Sequence, residues 1–129
     1  MAYLLSTCYC NCNYLLMSSL KNNSYYTNEH IRIINETVSY HKIVLFMKGN
    51  AREPKCKYSK RALDLLKSAK GQVIKTVNVL ESEGVRNGVK IISGYPTFPQ
   101  LFVNGKFIGG VDTMEQMYHE GKLQGLIQM

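Results

Sequence analysis

The apolar run Ile-Val-Leu-Phe-Met at positions 43–47 constrains the fold of this chain more than any other segment. The run is too short for a buried helix, and Lys48-Gly49 ends it. A continuous apolar run of this length is typical of a strand that is covered on both faces. The sequence therefore predicts an α/β protein in which this strand lies within a sheet, with helices on both faces.

Four other segments carry apolar residues at helical spacing. One covers residues 29–41, and one begins at Ser82, whose hydroxyl can accept a capping hydrogen bond. A last helix is predicted from Asp112, which makes a capping-box-like start together with Glu115. The remaining helix follows Cys56, and its predicted apolar face comprises Tyr58, Ala62, Leu65, Leu66 and Ala69.

Three further segments have the composition of strands. Residues 73–79 are rich in β-branched side chains. Residues 100–103 and 106–108 flank Asn104-Gly105, the dipeptide most typical of a two-residue hairpin. A parallel pair joined by a right-handed crossover, followed by this antiparallel hairpin, gives a four-stranded mixed sheet flanked by helices.

Residues 1–28 differ in composition from the rest of the chain, because they hold no acidic residue and one basic residue, Lys21. This composition fits either a targeting leader or a disordered tail. The first interpretation predicts delivery to the mitochondrion or another organelle, and the second predicts a cytoplasmic protein. Residues 29–129 are then expected to form the folded domain. Cys8, Cys10 and Cys12 lack the spacing of a closed zinc site.

Positive charge is concentrated around the remaining cysteine, Cys56. The net charge is +7, and between Lys48 and Lys75 nine basic residues accompany two acidic ones. A small anionic ligand is the preferred interpretation, with a polyanion partner as the alternative. No aromatic-interleaved pattern supports nucleic-acid binding, and no stretch reaches the ~18 apolar residues that a membrane-spanning helix needs. Five cations crowd the cysteine: Arg52, Lys55, Lys57, Lys60 and Arg61.

Cys56 has the setting of a reactive thiolate. It is expected in the first turn of a helix, where free backbone N–H groups and nearby lysines lower the pKa of a thiol. Ser59 occupies the second position of what would otherwise be a Cys-x-x-Cys pair. A mixed disulfide on Cys56 must therefore be released by an external thiol such as glutathione.

Four separated segments of the chain resemble the monothiol glutaredoxins, over residues 43–127. They are 46–49 (Phe-Met-Lys-Gly), Lys55-Cys56 after a five-residue spacer, 95–105 (Tyr-Pro-Thr-Phe-Pro-Gln-Leu-Phe-Val-Asn-Gly) and 107–112 (Phe-Ile-Gly-Gly-Val-Asp). The long loop before Cys56 is similar to that of the members that bind iron–sulfur clusters. One departure is clear, because the usual Cys-Gly-Phe-Ser motif is here Cys-Lys-Tyr-Ser at positions 56–59.

The resemblance implies a thioredoxin-like fold and a glutathione site. It implies that Lys48, assisted by Arg86, meets the glycyl carboxylate and that Asp112 meets the γ-glutamyl ammonium. Pro99 resembles the family's cis-proline, which turns the backbone of Phe98 towards the cysteine of glutathione. Gly110 allows a close backbone approach, and Val111 stands where many members have another cysteine.

Two functions follow from the resemblance. The first is a carrier in which two subunits bridge one 2Fe–2S cluster through two Cys56 thiolates and two glutathione thiolates, for transfer to or from iron–sulfur partner proteins. The alternative is a glutathione-dependent thiol–disulfide oxidoreductase that removes glutathione from protein thiols without binding a cluster. In both, the chain takes part in thiol redox homeostasis.

Overall fold

The computed structural model describes residues 26–69 and 73–128. Within them, a four-stranded mixed sheet is flanked by helices, which confirms the predicted fold class. In chain order the elements are α1 (Asn28–Tyr40), β1 (Ile43–Met47), α2 (Lys57–Ser68), β2 (Ile74–Asn78), α3 (Glu83–Ser93), β3 (Gln100–Val103), β4 (Lys106–Gly109), α4 (Val111–His119) and α5 (Lys122–Gln128).

The apolar run is strand β1, and it lies inside the sheet as its composition predicts. The strand order is β2-β1-β3-β4, with β1 parallel to β2 and antiparallel to β3. The hairpin β3–β4 turns at Asn104 and Gly105, both with positive φ (51° and 79°), as a two-residue hairpin turn requires. All five residues of β1 are buried.

The two faces of β1 carry two separate apolar cores. Ile43, Leu45 and Met47 pack with residues of α2, α4 and α5. Val44 and Phe46 pack with residues of α1 and α3 on the other face. Because the side chains of a strand alternate between faces, one apolar run supports both helical layers.

Two glycines on α3 bring it close to α1. A Cβ at Gly84 would lie 2.3 Å from the His30 ring, and one at Gly88 would lie 2.8 Å from Ile34 Cδ1. Larger side chains at these positions would push the two helices apart. Arg86 and Lys90 each follow one of these glycines by two positions, about 200° around the helix, and therefore face away from α1.

The start of α2 differs from the prediction. Tyr58, expected on the apolar face, is 51% exposed, whereas Ser59 is fully buried. The buried residues of α2 are Ser59, Ala62, Leu63, Leu65 and Leu66, and Ser59, Ala62, Leu63 and Leu66 follow the i, i+3, i+4, i+7 spacing of one helix face. The first buried side chain of the helix is therefore the Ser59 hydroxyl and not the Tyr58 ring.

The end of the chain also differs. Helix α4 has Gly110 as its N-cap, with no side-chain capping bond, so the predicted capping box of Asp112 and Glu115 is wrong. Asp112 instead lies in the first turn of the helix, where a carboxylate is favoured by the helix dipole. Gly121, at φ +73°, separates α4 from α5, so the predicted single last helix is two helices.

Residues 1–25 lie outside the described residues. They include Cys8, Cys10 and Cys12 and all but the last three residues of the predicted leader, 1–28. Among the residues that are described, no helix is long and apolar enough to cross a membrane.

Candidate functional site

A tight loop carries the chain from β1 to Cys56. The Lys55 N–H donates to the Lys48 carbonyl at 2.9 Å, which closes the loop. The side-chain oxygen of Asn50 accepts hydrogen bonds from two backbone N–H groups inside it. Gly49 has φ +91°, and a Cβ there would lie 2.5 Å from the Lys55 nitrogen, so only glycine fits. The loop thus holds Cys56 at a fixed point beside the end of β1.

Cys56 is the N-cap residue of α2 and is partly exposed. Burial by itself raises the pKa of its thiol, but the net effect of its surroundings is to lower that pKa. The opposing contributions come from the backbone N–H groups of Ser59 and Tyr58, the Ser59 hydroxyl and the positive charge of Lys48. The thiolate is therefore favoured by the helix N-terminus, as the sequence predicts.

The cation that acts on Cys56 is not one of the lysines expected from the sequence. Lys55 forms an ion pair with Glu53 at 2.6 Å, and the Lys57 ammonium lies 5.0 Å from the centre of the Tyr58 ring. Lys48, at the end of β1, is the residue whose charge lowers the pKa of Cys56. Proximity in sequence was a poor guide here, because the loop brings a residue eight positions away back towards the sulfur.

Ser59 links Cys56 to the sheet. Its buried Oγ accepts a hydrogen bond from the Lys48 N–H at 3.1 Å. A hydroxyl has one hydrogen to donate, and this arrangement leaves it available for the thiolate of Cys56. Ser59 therefore supports the thiolate and cannot act as a resolving thiol.

Cys56 opens onto a cleft of about 700 Å³. The structure brings to this cleft all eight residues that the resemblance singled out. They are Lys48, Cys56, Arg86, Phe98, Pro99, Gly110, Val111 and Asp112. They come from the residue after β1, the N-terminus of α2, α3, the loop before β3 and the N-terminus of α4.

Charge is distributed unevenly in the cleft. Three cations, Lys48, Arg86 and Lys90, line it together with one carboxylate, Asp112. Arg86 is 3.7 Å from Glu83, a weak ion pair, and the Lys90 ammonium lies 5.9 Å from the centre of the Phe98 ring. The cleft therefore suits a ligand that carries more negative than positive charge and offers one positive group.

Sequence reasoning did not assign to the site six of the residues that line this cleft: Tyr58, Leu80, Lys90, Tyr95, Pro96 and Thr97. Lys90 follows Arg86 by one helical turn, so its position on the same face of α3 was detectable from the spacing. Leu80 lies in the turn after β2, and no periodicity in the sequence marks it.

The loop before β3 forms one wall of the cleft. The Phe98–Pro99 peptide bond is cis, as predicted. The side-chain amide of Gln100, buried at the start of β3, donates to the carbonyls of Tyr95 and Thr97 at 2.9 and 3.0 Å. Gln100 thereby fixes the loop from inside the protein and leaves its outer surface for a ligand.

Gly110 has a packing reason to be glycine. A Cβ at this position would lie 2.8 Å from the Tyr95 hydroxyl and 3.2 Å from its ring. Tyr95 also contacts Phe107, with ring centres 5.5 Å apart. The N-terminus of α4 can therefore lie close against the loop, which brings Asp112 to the cleft.

The described residues do not form a metal centre by themselves. Among residues 26–69 and 73–128, no three His, Cys, Asp or Glu side chains are grouped as metal ligands, and the free cysteine is Cys56. An iron–sulfur cluster is held by four cysteine thiolates. Cys56 is one sulfur ligand, so the donor set of the described residues fits a cluster when a second subunit and external thiols complete it.

Comparisons with known proteins agree with this geometry. The glutaredoxin family model matches residues 43–108. An uncharacterized monothiol glutaredoxin, ycf64 of Porphyra purpurea, is 36% identical over 97 residues, which cover 75% of this chain and 90% of that protein. Glutaredoxin-3 of Homo sapiens is 38% identical over 100 residues, which cover 78% of this chain but 29% of that longer protein.

The same relationship appears among solved structures. The solution structure of reduced apo GrxS14 from poplar has a TM-score of 0.67 and 40% identity, and the match covers 75% of this chain and 88% of that one. The fold is therefore thioredoxin-like, as the resemblance implies. With a family match over half of its length and a monothiol relative matched over nearly all of that relative's length, this chain belongs to the glutaredoxin family, among the monothiol glutaredoxins.

Proposed function

We propose that this protein binds glutathione in the cleft and that two such complexes together carry a 2Fe–2S cluster. One observation carries the proposal: the Cys56 thiol opens onto a cleft with three cations and one carboxylate, and no second cysteine lies in the described part of the chain. Glutathione has two carboxylates, one ammonium and one thiol. Its charges are the complement of those in the cleft, and its thiol supplies a second sulfur beside Cys56, the one cysteine in the described part of the chain.

The cleft suggests how glutathione is oriented. Lys48 and Arg86 would bind the glycyl carboxylate, and the exposed Asp112 carboxylate would accept hydrogen bonds from the γ-glutamyl ammonium. The first backbone N–H groups of α4, near Val111, have no partners within the helix and suit the γ-glutamyl carboxylate. The backbone of Phe98, beside Pro99, would pair with the central cysteine, which directs the glutathione sulfur towards Cys56.

Cluster binding follows from counting thiolates. Each subunit contributes Cys56 and one bound glutathione, so two subunits provide the four sulfur ligands that two irons require. Tyr58 and Leu80, respectively 51% and 46% exposed, line the cleft and would be covered in such a homodimer. The cluster is cargo here, and iron–sulfur proteins that donate or accept it are the expected partners.

Anaerobic reconstitution with ferrous iron, sulfide and glutathione tests this proposal. We expect a coloured dimer that forms only with glutathione, and we expect Cys56→Ser to abolish the colour because a hydroxyl is a poor ligand at this soft site. Lys57→Gly, which restores the usual residue of the family motif, should retain the cluster longer if the lysine side chain crowds the dimer. A colourless monomer under all these conditions would reject cluster carriage.

A second function, glutathione exchange, is favoured by the lowered pKa of Cys56. The Cys56 thiolate would attack the glutathione sulfur of a mixed disulfide and release the partner as a thiolate. Free glutathione would then attack the Cys56–glutathione disulfide, which gives oxidised glutathione and regenerates Cys56. Turnover of the cysteine–glutathione disulfide, coupled to glutathione reductase, measures this reaction whether or not a cluster forms.

The leader is proposed to direct the protein to an organelle, with the mitochondrion as the first candidate and the cytoplasm as the alternative. A reporter fused to residues 1–42 should be found in that organelle. A reporter spread evenly through the cytosol would identify the segment as a tail without a targeting role.

A further inference from the structure

A second group of cations lies beside Cys56 and outside the glutathione cleft. Arg52 in the loop and Lys57 and Lys60 in the first turn and a half of α2 are all exposed. In the described part of the chain none of the three forms an ion pair, whereas their neighbours Lys55 and Arg61 are paired with Glu53 and Glu115. These three residues, here called the cationic rim, therefore carry a local charge that nothing described in the protein neutralises.

The cationic rim has no role in the glutathione site proposed above. None of its three residues lines the 700 Å³ cleft, which has its own cations for the two carboxylates of glutathione. These cations lie beside the reactive thiolate but outside the site of its small ligand. They are therefore placed to contact the protein to which glutathione is joined in a mixed disulfide.

A shallow groove runs from the cleft to Lys57, the residue of the cationic rim that lines it. Its volume is about 300 Å³, and it shares Tyr58, Val111 and Asp112 with the cleft. Lys57, Arg61 and Glu115 form the rest of its lining. The Lys57 ammonium lies over the exposed Tyr58 ring, 5.0 Å from its centre, so the groove combines an aromatic surface with a cation above it. A peptide whose sulfur is at the mouth of the cleft could continue into this groove.

We propose that the cationic rim and the groove bind an acidic protein segment that flanks the target cysteine. The proposal rests on the exchange function: Cys56 attacks the glutathione sulfur, the bond from that sulfur to the partner's cysteine breaks, and the partner leaves as a thiolate. In such an attack the partner's sulfur lies opposite Cys56 across the glutathione sulfur, and the proposal places the segments that flank it over the rim. Carboxylates on either side of its cysteine would meet Arg52, Lys57 and Lys60, which increases the rate of encounter.

An acidic protein suits this surface better than a nucleic acid. Nucleic-acid grooves combine cations with several aromatic side chains on which successive bases stack. Tyr58 is the one aromatic residue in the groove, and its ring is already covered on one side by the Lys57 ammonium. The three rim cations match a short run of carboxylates and do not extend into a track for a phosphate backbone.

Two peptides of identical length, each glutathionylated at its one cysteine, test the proposal. One has glutamate on both sides of the cysteine, and the other has lysine. At low ionic strength kcat/KM should be at least ~10-fold higher for the acidic peptide, and ~0.5 M salt should remove most of the difference. The ratio of the two values is the readout, so a variant with altered overall activity remains informative.

Two matched double variants locate the effect. Lys57→Gln with Lys60→Gln should bring the ratio close to one. Lys67→Gln with Lys75→Gln removes the same charge from exposed positions far along the chain from Cys56 and should preserve the ratio. Equal kcat/KM values for the two peptides in the unmodified protein would overturn the rim proposal while leaving glutathione exchange intact.

Binding of the two peptides to the Cys56→Ser variant, measured by fluorescence anisotropy, keeps the exchange proposal and the rim proposal separable. If no disulfide is turned over, the exchange function fails, and equal affinities for the two peptides would then overturn the rim as well. Tighter binding of the acidic peptide, lost in the Lys57 and Lys60 variant, would support the rim. A single-stranded oligonucleotide that binds more tightly than the acidic peptide and competes with it would assign the surface to nucleic acid and reject the proposal.

Discussion

The cleft and the cationic rim flank the same sulfur but are built in different ways. The cations of the cleft, Lys48, Arg86 and Lys90, are half-buried and come from two elements that the fold brings together. The cations of the rim are exposed and lie within nine positions of one another in the sequence. The cleft is therefore a product of tertiary structure, and the rim is a product of local composition.

This difference has a physical consequence. Half-buried charges in a shaped cleft lose little entropy on binding and are weakly screened, so each can recognise one group of a ligand. Exposed lysines and arginines interact through water, and their effect decreases as salt is added. The cleft should decide which thiol compound is bound, and the rim should affect how fast charged partners arrive.

The largest effect is expected in the cleft. Asp112→Asn removes the one carboxylate proposed to meet the ammonium of glutathione, and kcat/KM for the cysteine–glutathione disulfide should decrease about tenfold. Asp64→Asn is the control, because this exposed carboxylate on α2 lies outside the cleft and its loss changes the net charge equally. Equal rates for the two variants would mean that Asp112 does not contact the substrate.

The sequence predicted the elements that depend on local pattern. The run at 43–47 and the hairpin at Asn104-Gly105 are strands and turn as expected, because burial and turn chemistry act over a few residues. Two predictions at helix starts were wrong: Tyr58 is exposed, and Asp112 is not the N-cap of α4. The angle at which the chain enters a helix decides which side chain of the first turn faces the core. Hydrophobic periodicity does not show this angle.

The residues of the cleft came from the family resemblance and not from the pattern. Lys48, Arg86 and Asp112 are far apart in the chain, and physical reasoning on the sequence alone makes Lys48 a solvated charge and Asp112 a helix-capping residue. The contribution of Lys48 to the Cys56 thiolate depends on the loop folding back at Gly49, which no local feature near the cysteine indicates.

Ser59 should matter for stability as well as for the thiolate. Ser59→Ala leaves the Lys48 N–H without its acceptor at a partly buried position, and the free energy of unfolding should fall by about 1–2 kcal/mol. Denaturant titration measures this loss. Ser68→Ala, at the exposed end of the same helix, should change stability by less than about 0.5 kcal/mol. Similar values for the two variants would show that the buried bond contributes nothing.

The pH dependence of Cys56 separates the two sets of cations. Lys48→Gln removes a charge that lowers the pKa of Cys56, so that pKa should rise and the thiolate fraction at pH 6 should fall. Alkylation by iodoacetamide at pH 6 should then slow severalfold. At a pH above both pKa values the thiol is ionised in both proteins, and the rates should converge.

The comparison with the rim uses the same assay. Lys57→Gln should change the rate at pH 6 much less, because the Lys57 ammonium lies over the Tyr58 ring. A larger effect from Lys57 than from Lys48 would contradict the assignment of the thiolate's cation. Unmodified protein that reacts no faster at pH 6 than free cysteine would contradict the lowered pKa itself.

The smallest effect is expected from Glu115, which lines the groove between the cleft and the cationic rim. Its carboxylate pairs with the Arg61 guanidinium, 54 residues away in sequence, across the edge of the groove. Glu115→Gln would release Arg61 and add one positive charge to the rim. Because the pair is largely exposed, the free energy of unfolding should change by less than about 1 kcal/mol. The preference for the acidic peptide over the basic one should nevertheless rise by about twofold.

Glu36→Gln, which breaks an exposed ion pair with Arg32 on α1, is the matched control and should leave the preference unchanged. A gain of preference in both variants would indicate a general effect of net charge, whereas a gain in Glu115→Gln alone would show that partner selection depends on where the charge lies.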